Sequence, residues 1–265
     1  MTSPSSDCQQ VTVPAVIYNR VPRVTADFWL IKLMAVTVGE TAADFLAGHL
    51  GFGLPMTSWL MSGFLVVSLA LQFAQRKYLP SVYWLTVVVI SVVGTLISDN
   101  LVDNLGVSLE TTTTVFGLAL AATFIVWFAI ERTLSIHTIY TTRREAFYWL
   151  AILFTFALGT AAGDLLAEGL GLGYLQAGLM YGLVIGAIAF AYYVRKANGI
   201  LAFWLAYILT RPMGASFGDL LAQSHANGGL GLGTVVTSFA FLAIIAAIIV
   251  YMTVTHEGLE GGSGQ

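Results

Sequence analysis

The sequence predicts an all-α membrane protein. It has eight transmembrane helices in four parallel two-helix repeats, pseudo-symmetric about the membrane normal. Three observations lead there. The chain is 57% hydrophobic and only 9% charged, where a soluble domain carries about a quarter charged. A Trp/Gly/Asp pattern recurs four times. The basic residues outside the apolar runs all fall at alternate connections.

The repeats are read from four tryptophans: "WLIKLMAVTVGETAAD" from Trp29, "WLTVVVISVVGTLISD" from Trp84, "WLAILFTFALGTAAGD" from Trp149 and "WLAYILTRPMGASFGD" from Trp204. In each, Gly follows Trp by ten residues and Asp follows Gly by five. The Trp spacings are 55, 65 and 55 residues. The extra length lies in the polar connection "RTLSIHTIYTTRREAF", so the chain reads as two halves of two repeats. The repeat bounds are 28–80, 82–135, 147–199 and 203–253, one transmembrane domain over 28–253. Residues 1–27 form a polar tail without a signal-peptide core, and 254–265 form a tail ending in a linker-like "GGSGQ" of the kind appended for expression.

Each repeat holds two apolar runs joined by a Gly-rich turn. The expected spans are 28–50, 56–75, 82–102, 113–131, 147–167, 174–194, 203–223 and 233–253. About 20 residues at a rise of about 1.5 Å cross a hydrocarbon core of about 30 Å. Arg20, Arg23, Arg76, Lys77, Arg132, Arg143, Arg144, Arg195 and Lys196 lie on one side, and the four Gly-rich turns hold no Lys or Arg. The positive side is cytoplasmic, so both termini are expected there and the Gly-rich turns outside. Repeats with an even number of spans all point the same way, which requires an axis along the membrane normal.

Stepping four residues at a time along the first span of each repeat traces one helix face. It collects Lys32, Glu40 and Asp44; Thr95, Asp99 and Asp103; Thr160, Asp164 and Glu168; and Arg211, Asp219 and Gln223. The second spans carry almost no ionisable residue and read as a lipid-facing ring. A buried Asp costs roughly 2.5–3.5 kcal/mol on the insertion scale, so these residues mark a functional face. Gly39, Gly94, Gly159 and Gly214 are each followed four residues later by Ala43, Ser98, Gly163 or Gly218. That spacing lets four odd helices pack closely with polar faces inward.

Each residue also has a plainer role to weigh. Trp29, Trp84, Trp149 and Trp204 are expected as interface anchors. Asp44, Asp99, Asp164 and Asp219 sit near helix C-termini, where the dipole disfavours a carboxylate, so a bound cation or proton is the better account. Glu40, near the midplane, is either a coupling carboxylate or the ion-pair partner of Arg211. Arg211, Lys32, Thr95 and Thr160 form the expected gating or charge-pairing set, with Lys32 close enough to the interface to snorkel. Asp103, Glu168, His49 and His225 would line the outer mouth, the histidines as occasional metal ligands or as merely exposed turn residues.

Oxygen ligands without thiolate favour hard cations; Cys8 lies in the tail. The expected function is a secondary transporter of cations, foremost a proton-coupled exporter of a divalent metal such as Mn²⁺, with Mg²⁺ and Ca²⁺ as the other bound ions considered. The alternatives are a monovalent or organic cation transporter or channel, or a scaffold or sensor without transport. The partners expected are the lipid bilayer and a small cation; no basic face suits nucleic acid, and the oligomeric state is left open. An enzyme is not expected: an intramembrane aspartyl protease would need "GxGD", and the chain has "TAAGD" and "SFGD". Haem is disfavoured because no histidine lies in the interior of a span; His49 falls at the outer end of the first.

The four quoted segments resemble a family of bacterial membrane-anchored proteins built of four tandem repeats, each with two transmembrane segments and a tryptophan, catalogued as a repeat of unknown function. The resemblance covers about residues 28–253. It implies the same topology and a bacterial inner-membrane location, and it implies no chemistry. The fourth repeat departs from the others, since "SHANGGLGLG" inserts about five residues in its turn.

Overall fold

The computed structural model describes residues 18–255, with side chains as far as residue 251. Cys8, most of the N-terminal tail and the glycine-rich end lie outside the described residues. Among the described residues eight long helices follow one another: α1 Ala26–Asp44, α2 Gly53–Ala74, α3 Pro80–Asp99, α4 Leu109–Glu131, α5 Thr142–Asp164, α6 Tyr174–Arg195, α7 Gly199–Ala222 and α8 Thr234–Thr255. No strand occurs among the described residues. Seven of the helices, α2 to α8, are long and apolar enough to cross a membrane. Helix α1 is not among the seven; it carries Asp27, Lys32, Glu40 and Asp44.

The starts of the odd helices are written locally. The side chains of Thr25, Thr141 and Asn198 accept from backbone N–H groups of the first turns of α1, α5 and α7, and Pro80 opens α3. The three caps supply acceptors for N–H donors that a helix N-terminus leaves unpaired, and the proline lacks such a donor. The other ends follow a shared pattern in three repeats. After Asp44, Asp99 and Asp164 the helix widens into a π turn, Phe45–His49, Asn100–Asn104 and Leu165–Gly169. Each turn closes with an i→i+5 bond, as in Leu50 N–H to Phe45 O at 3.0 Å. A glycine with φ near +68° then reverses the chain: Gly51, Gly106 and Gly171. All three lie 22 residues after their tryptophan. In the fourth repeat α7 stays α-helical to its end and Gly231 takes that conformation five residues later, after the short turn His225–Asn227.

The four odd helices form an inner ring in which α1 packs on α3, α3 on α5, α5 on α7 and α7 back on α1. The even helices lie outside. Each packs on the odd helix that follows it: α2 on α3, α4 on α5, α6 on α7, and α8 closes the ring on α1. The packing unit is thus shifted by one helix from the sequence repeat. The even helices carry long rows of exposed apolar side chains, such as Met56, Phe64 and Val67 on α2 and Leu183 and Phe190 on α6.

Glycines set the spacing of the inner ring. A Cβ built on Gly39 would overlap Ser91, one on Gly94 would overlap Phe156, one on Gly159 would overlap Arg211, and one on Gly214 would overlap Val36. Each intruding residue lies seven positions after the tryptophan of the next repeat, the last closing onto the first. Only a missing Cβ lets backbones come this close.

Two expectations are corrected here. Trp84, Trp149 and Trp204 are not interface anchors, because their relative exposures are 1%, 3% and 4%; only Trp29 is half-buried. The residue before each tryptophan is also aromatic, and it packs at a tilt against the tryptophan of the next repeat. The ring centroids are 5.6 Å apart for Phe28 and Trp84, 5.5 Å for Tyr83 and Trp149, 6.2 Å for Tyr148 and Trp204, and 5.8 Å for Phe203 and Trp29. These contacts hold the indoles inside a collar at the positive end of the ring. Lys32 does not snorkel either. It is fully buried, its Nζ donating to Tyr207 O at 2.6 Å and Thr210 Oγ1 at 2.7 Å and lying 3.7 Å from the Tyr207 ring centre.

Candidate functional site

Inward-facing positions four residues apart stack as layers along the odd helices, about 6 Å from one to the next. At the positive end the first layer is Phe28, Tyr83, Tyr148 and Phe203, all buried, with Tyr83 Oη and Tyr148 Oη hydrogen-bonded at 2.5 Å. The second layer is Lys32, Val87, Ile152 and Tyr207. The third is Val36, Ser91, Phe156 and Arg211. The fourth is Glu40, Thr95, Thr160 and Ala215. All sixteen side chains of these layers are buried, so the ring is closed from the collar up to Glu40.

The fourth layer carries the central polar contact. The Arg211 stem lies against Gly159, and its head turns into the ring. Nη1 donates to Glu40 Oε2 at 2.9 Å. Nη2 donates to Thr160 Oγ1 at 2.7 Å and also to Thr95 Oγ1. Thr95 Oγ1 donates to Glu40 Oε2 at 3.4 Å. All four odd helices therefore meet at one buried ion pair. Arg211 has 0% relative exposure and Glu40 5%, and Arg211 Nε is buried with no hydrogen-bond partner. Pro212 sits inside α7 without ending it.

The fifth layer holds the four aspartates. Asp44, Asp99 and Asp164 are half-buried and Asp219 is 7% exposed. All four are within electrostatic reach of Glu40. Asp44 accepts from Gln223 Nε2 at 3.5 Å. Among the described residues, the side chains of Asp99, Asp164 and Asp219 form no hydrogen bond or ion pair. Asp103 and Glu168 lie beyond them, exposed, with Tyr174 Oη donating to Glu168 Oε1 at 2.9 Å. The ring is thus closed at the positive end and acidic where it reaches the surface.

The turn histidines stand apart. His49 is exposed and stacks on Phe45 at 5.9 Å. His225 is exposed and its Nδ1 lies 3.0 Å from Gly229 O. Among the described residues, no three His, Cys, Asp or Glu side chains come together as a group able to hold a metal ion.

The model of a family described as "Repeat of Unknown Function (DUF347)" matches four stretches, residues 28–78, 82–133, 147–198 and 202–257. The chain belongs to the DUF347 repeat family. No curated protein and no solved structure matches it. The four DUF347 repeats coincide with the four helix pairs that build the rings.

Sequence reasoning missed two features of this DUF347 chain. The aromatic before each tryptophan was visible as "FW", "YW", "YW" and "FW"; its recurrence in all four repeats was the signal. The second is a buried latch at the positive end. Glu145, 0% exposed, is bound by Arg20 Nη1 at 2.7 Å and by Gln72 Nε2 at 2.9 Å. These partners lie 125 and 73 residues away, and no local pattern connects them. Next to the latch the Tyr78 hydroxyl is buried, and loss of solvent pushes its pKa above the ordinary tyrosine value.

Proposed function

We propose that this DUF347 chain is a secondary transporter of cations in a bacterial inner membrane. It crosses the bilayer eight times, with both termini cytoplasmic, and its repeats are related by a pseudo-fourfold axis along the membrane normal. The cyclic aromatic–tryptophan and glycine–side-chain contacts support the axis. The clustering of basic residues at the collar end supports the orientation. In that frame α1 is the eighth crossing; its Lys32, Glu40 and Asp44 face the ring rather than lipid, and Asp27 lies in its first turn at the positive end.

One observation carries the transport reading. Each odd helix places one carboxylate at the open, acidic end, directly above a buried Glu40–Arg211 pair that closes the ring. Unpaired carboxylates on a membrane ring attract cations, and a charged barrier beneath them can open only by exchanging partners. The aspartates are the outer cation site and Glu40 is the coupling carboxylate. A divalent ion such as Mn²⁺ is the first substrate to test. With no preformed three-ligand group, it would enter with part of its water shell, bound to carboxylates through water. The same absence favours a monovalent or organic cation as the second reading.

Flux into proteoliposomes decides between them. Vesicles loaded with a divalent-sensitive dye receive Mn²⁺, Mg²⁺ or Ca²⁺ outside, with wild type compared to Asp44→Asn and Asp164→Asn. Protein-dependent flux of one ion, lost in the folded variants, supports the divalent reading. No flux of any of the three refutes it, and Na⁺, protons and organic cations are tested next. A chain that moves none of these is a scaffold.

A further inference from the structure

We infer that Glu40, Thr95 and Thr160 form an inner binding site for a monovalent cation, which the Arg211 guanidinium occupies as a tethered competitor. This rests on the transport reading of the same ring and gives the coupling ion its place. Three oxygens from three helices converge on one positive group: Glu40 Oε2 at 2.9 Å from Nη1, Thr160 Oγ1 at 2.7 Å from Nη2, and Thr95 Oγ1, also on Nη2. The fourth helix supplies Ala215 at this level, which leaves room for the head that arrives from one turn below. A carboxylate and two hydroxyls are hard oxygen ligands, suited to ions of the sodium type. Their single negative charge balances one positive charge and no more. A divalent ion here would leave a net charge in a buried layer, at high desolvation cost.

The side chain is built to leave and return. Arg211 is seated by its stem, which fills the space opened by Gly159, and its head is held by the same three oxygens that an entering cation would take. Its Nε already lacks a partner. Asp164, four residues beyond Thr160 towards the open end, lies within electrostatic reach of Arg211 and is the acceptor for a displaced guanidinium. A monovalent cation entering the inner site would move Arg211 from Glu40 to Asp164, and so take one carboxylate from the outer site. Occupation of the inner site thus changes the charge of the outer one.

The test is binding to purified protein in detergent. Arg211→Met keeps an apolar stem against Gly159 and removes the head. Thermal unfolding is followed with increasing NaCl or guanidinium chloride at low millimolar concentration, against equimolar N-methylglucamine chloride. The expected result is a saturable rise in Tm of about 2–4 °C or more for Arg211→Met. The rise is absent in wild type, where the head fills the site, and absent in Arg211→Met/Glu40→Gln. No cation-specific rise in Arg211→Met overturns the inference, as does an equal rise in the double variant. If Arg211→Met fails to fold, Arg211→Gln, whose amide can still donate to Glu40, is read by the same criteria. Flux is a separate readout. Wild-type flux with a cation-blind Arg211→Met overturns the inner site alone. Cation-stabilised Arg211→Met without any wild-type flux overturns the transport reading alone.

Discussion

Replacing Gly159 by alanine tests whether close approach of α5 and α7 holds the central ion pair in place. A methyl at this position overlaps the Cβ and Cγ of Arg211 and comes to 3.1 Å from Pro212 Cδ. The overlapped atoms are the root of the arginine side chain, not its mobile end, so the two helices must separate or Arg211 must leave its rotamer. Overpacking of this kind costs about 1–3 kcal/mol. Alanine also gains about 1 kcal/mol of helix propensity over glycine, which hides part of the loss. Gly186→Ala on α6 is the matched control, because a Cβ there meets no atom within 4 Å. The propensity gain is common to both variants and cancels. The difference between them is then about 1–3 kcal/mol, or roughly 2–10 °C in Tm for a chain of this size. The assay is thermal unfolding of both proteins in one detergent, read by fluorescence-detected size exclusion. A Gly159→Ala protein as stable as Gly186→Ala would refute the reasoning, since the close contact would then carry no weight.

Three further outcomes are expected. Glu40→Ala leaves Arg211 buried and unpaired and should destabilise by about 3–5 kcal/mol, whereas Arg211→Met/Glu40→Gln together should cost less than the sum of the single changes; a double-mutant cycle in thermal unfolding checks this. Tyr83→Phe strands the Tyr148 hydroxyl in a buried collar and should cost about 1–3 kcal/mol, and adding Tyr148→Phe should recover part of it, as measured by chemical denaturation of the single and double variants. Arg20→Ala frees the buried Glu145 and should lower stability by about 1–3 kcal/mol, with proteolysis at the positive end accelerated relative to Arg23→Ala, an exposed neighbour without an ion pair among the described residues.

The sequence by itself determined the repeats, the helix order and the inward face. These are local properties: hydrophobic run length, Trp/Gly/Asp spacing and the four-residue step are all written along one helix, so Asp44, Asp99, Asp164 and Asp219 could be placed at one level without any tertiary contact. Tertiary structure decided which helices touch and what each polar group meets. Trp84 and Lys32 show why. At the end of an isolated helix both belong at the lipid interface, and only the neighbouring helix, bringing Tyr207 and Thr210 to Lys32 and Phe28 to Trp84, turns them inward. The Glu40–Arg211 pair joins residues 171 positions apart and forms because Gly159 lets α7 approach α5 closely enough to aim the guanidinium at the ring. Periodicity states which face of a helix is polar. The approach of a neighbouring backbone, a matter of one missing Cβ at each contact, decides which charge that face will find.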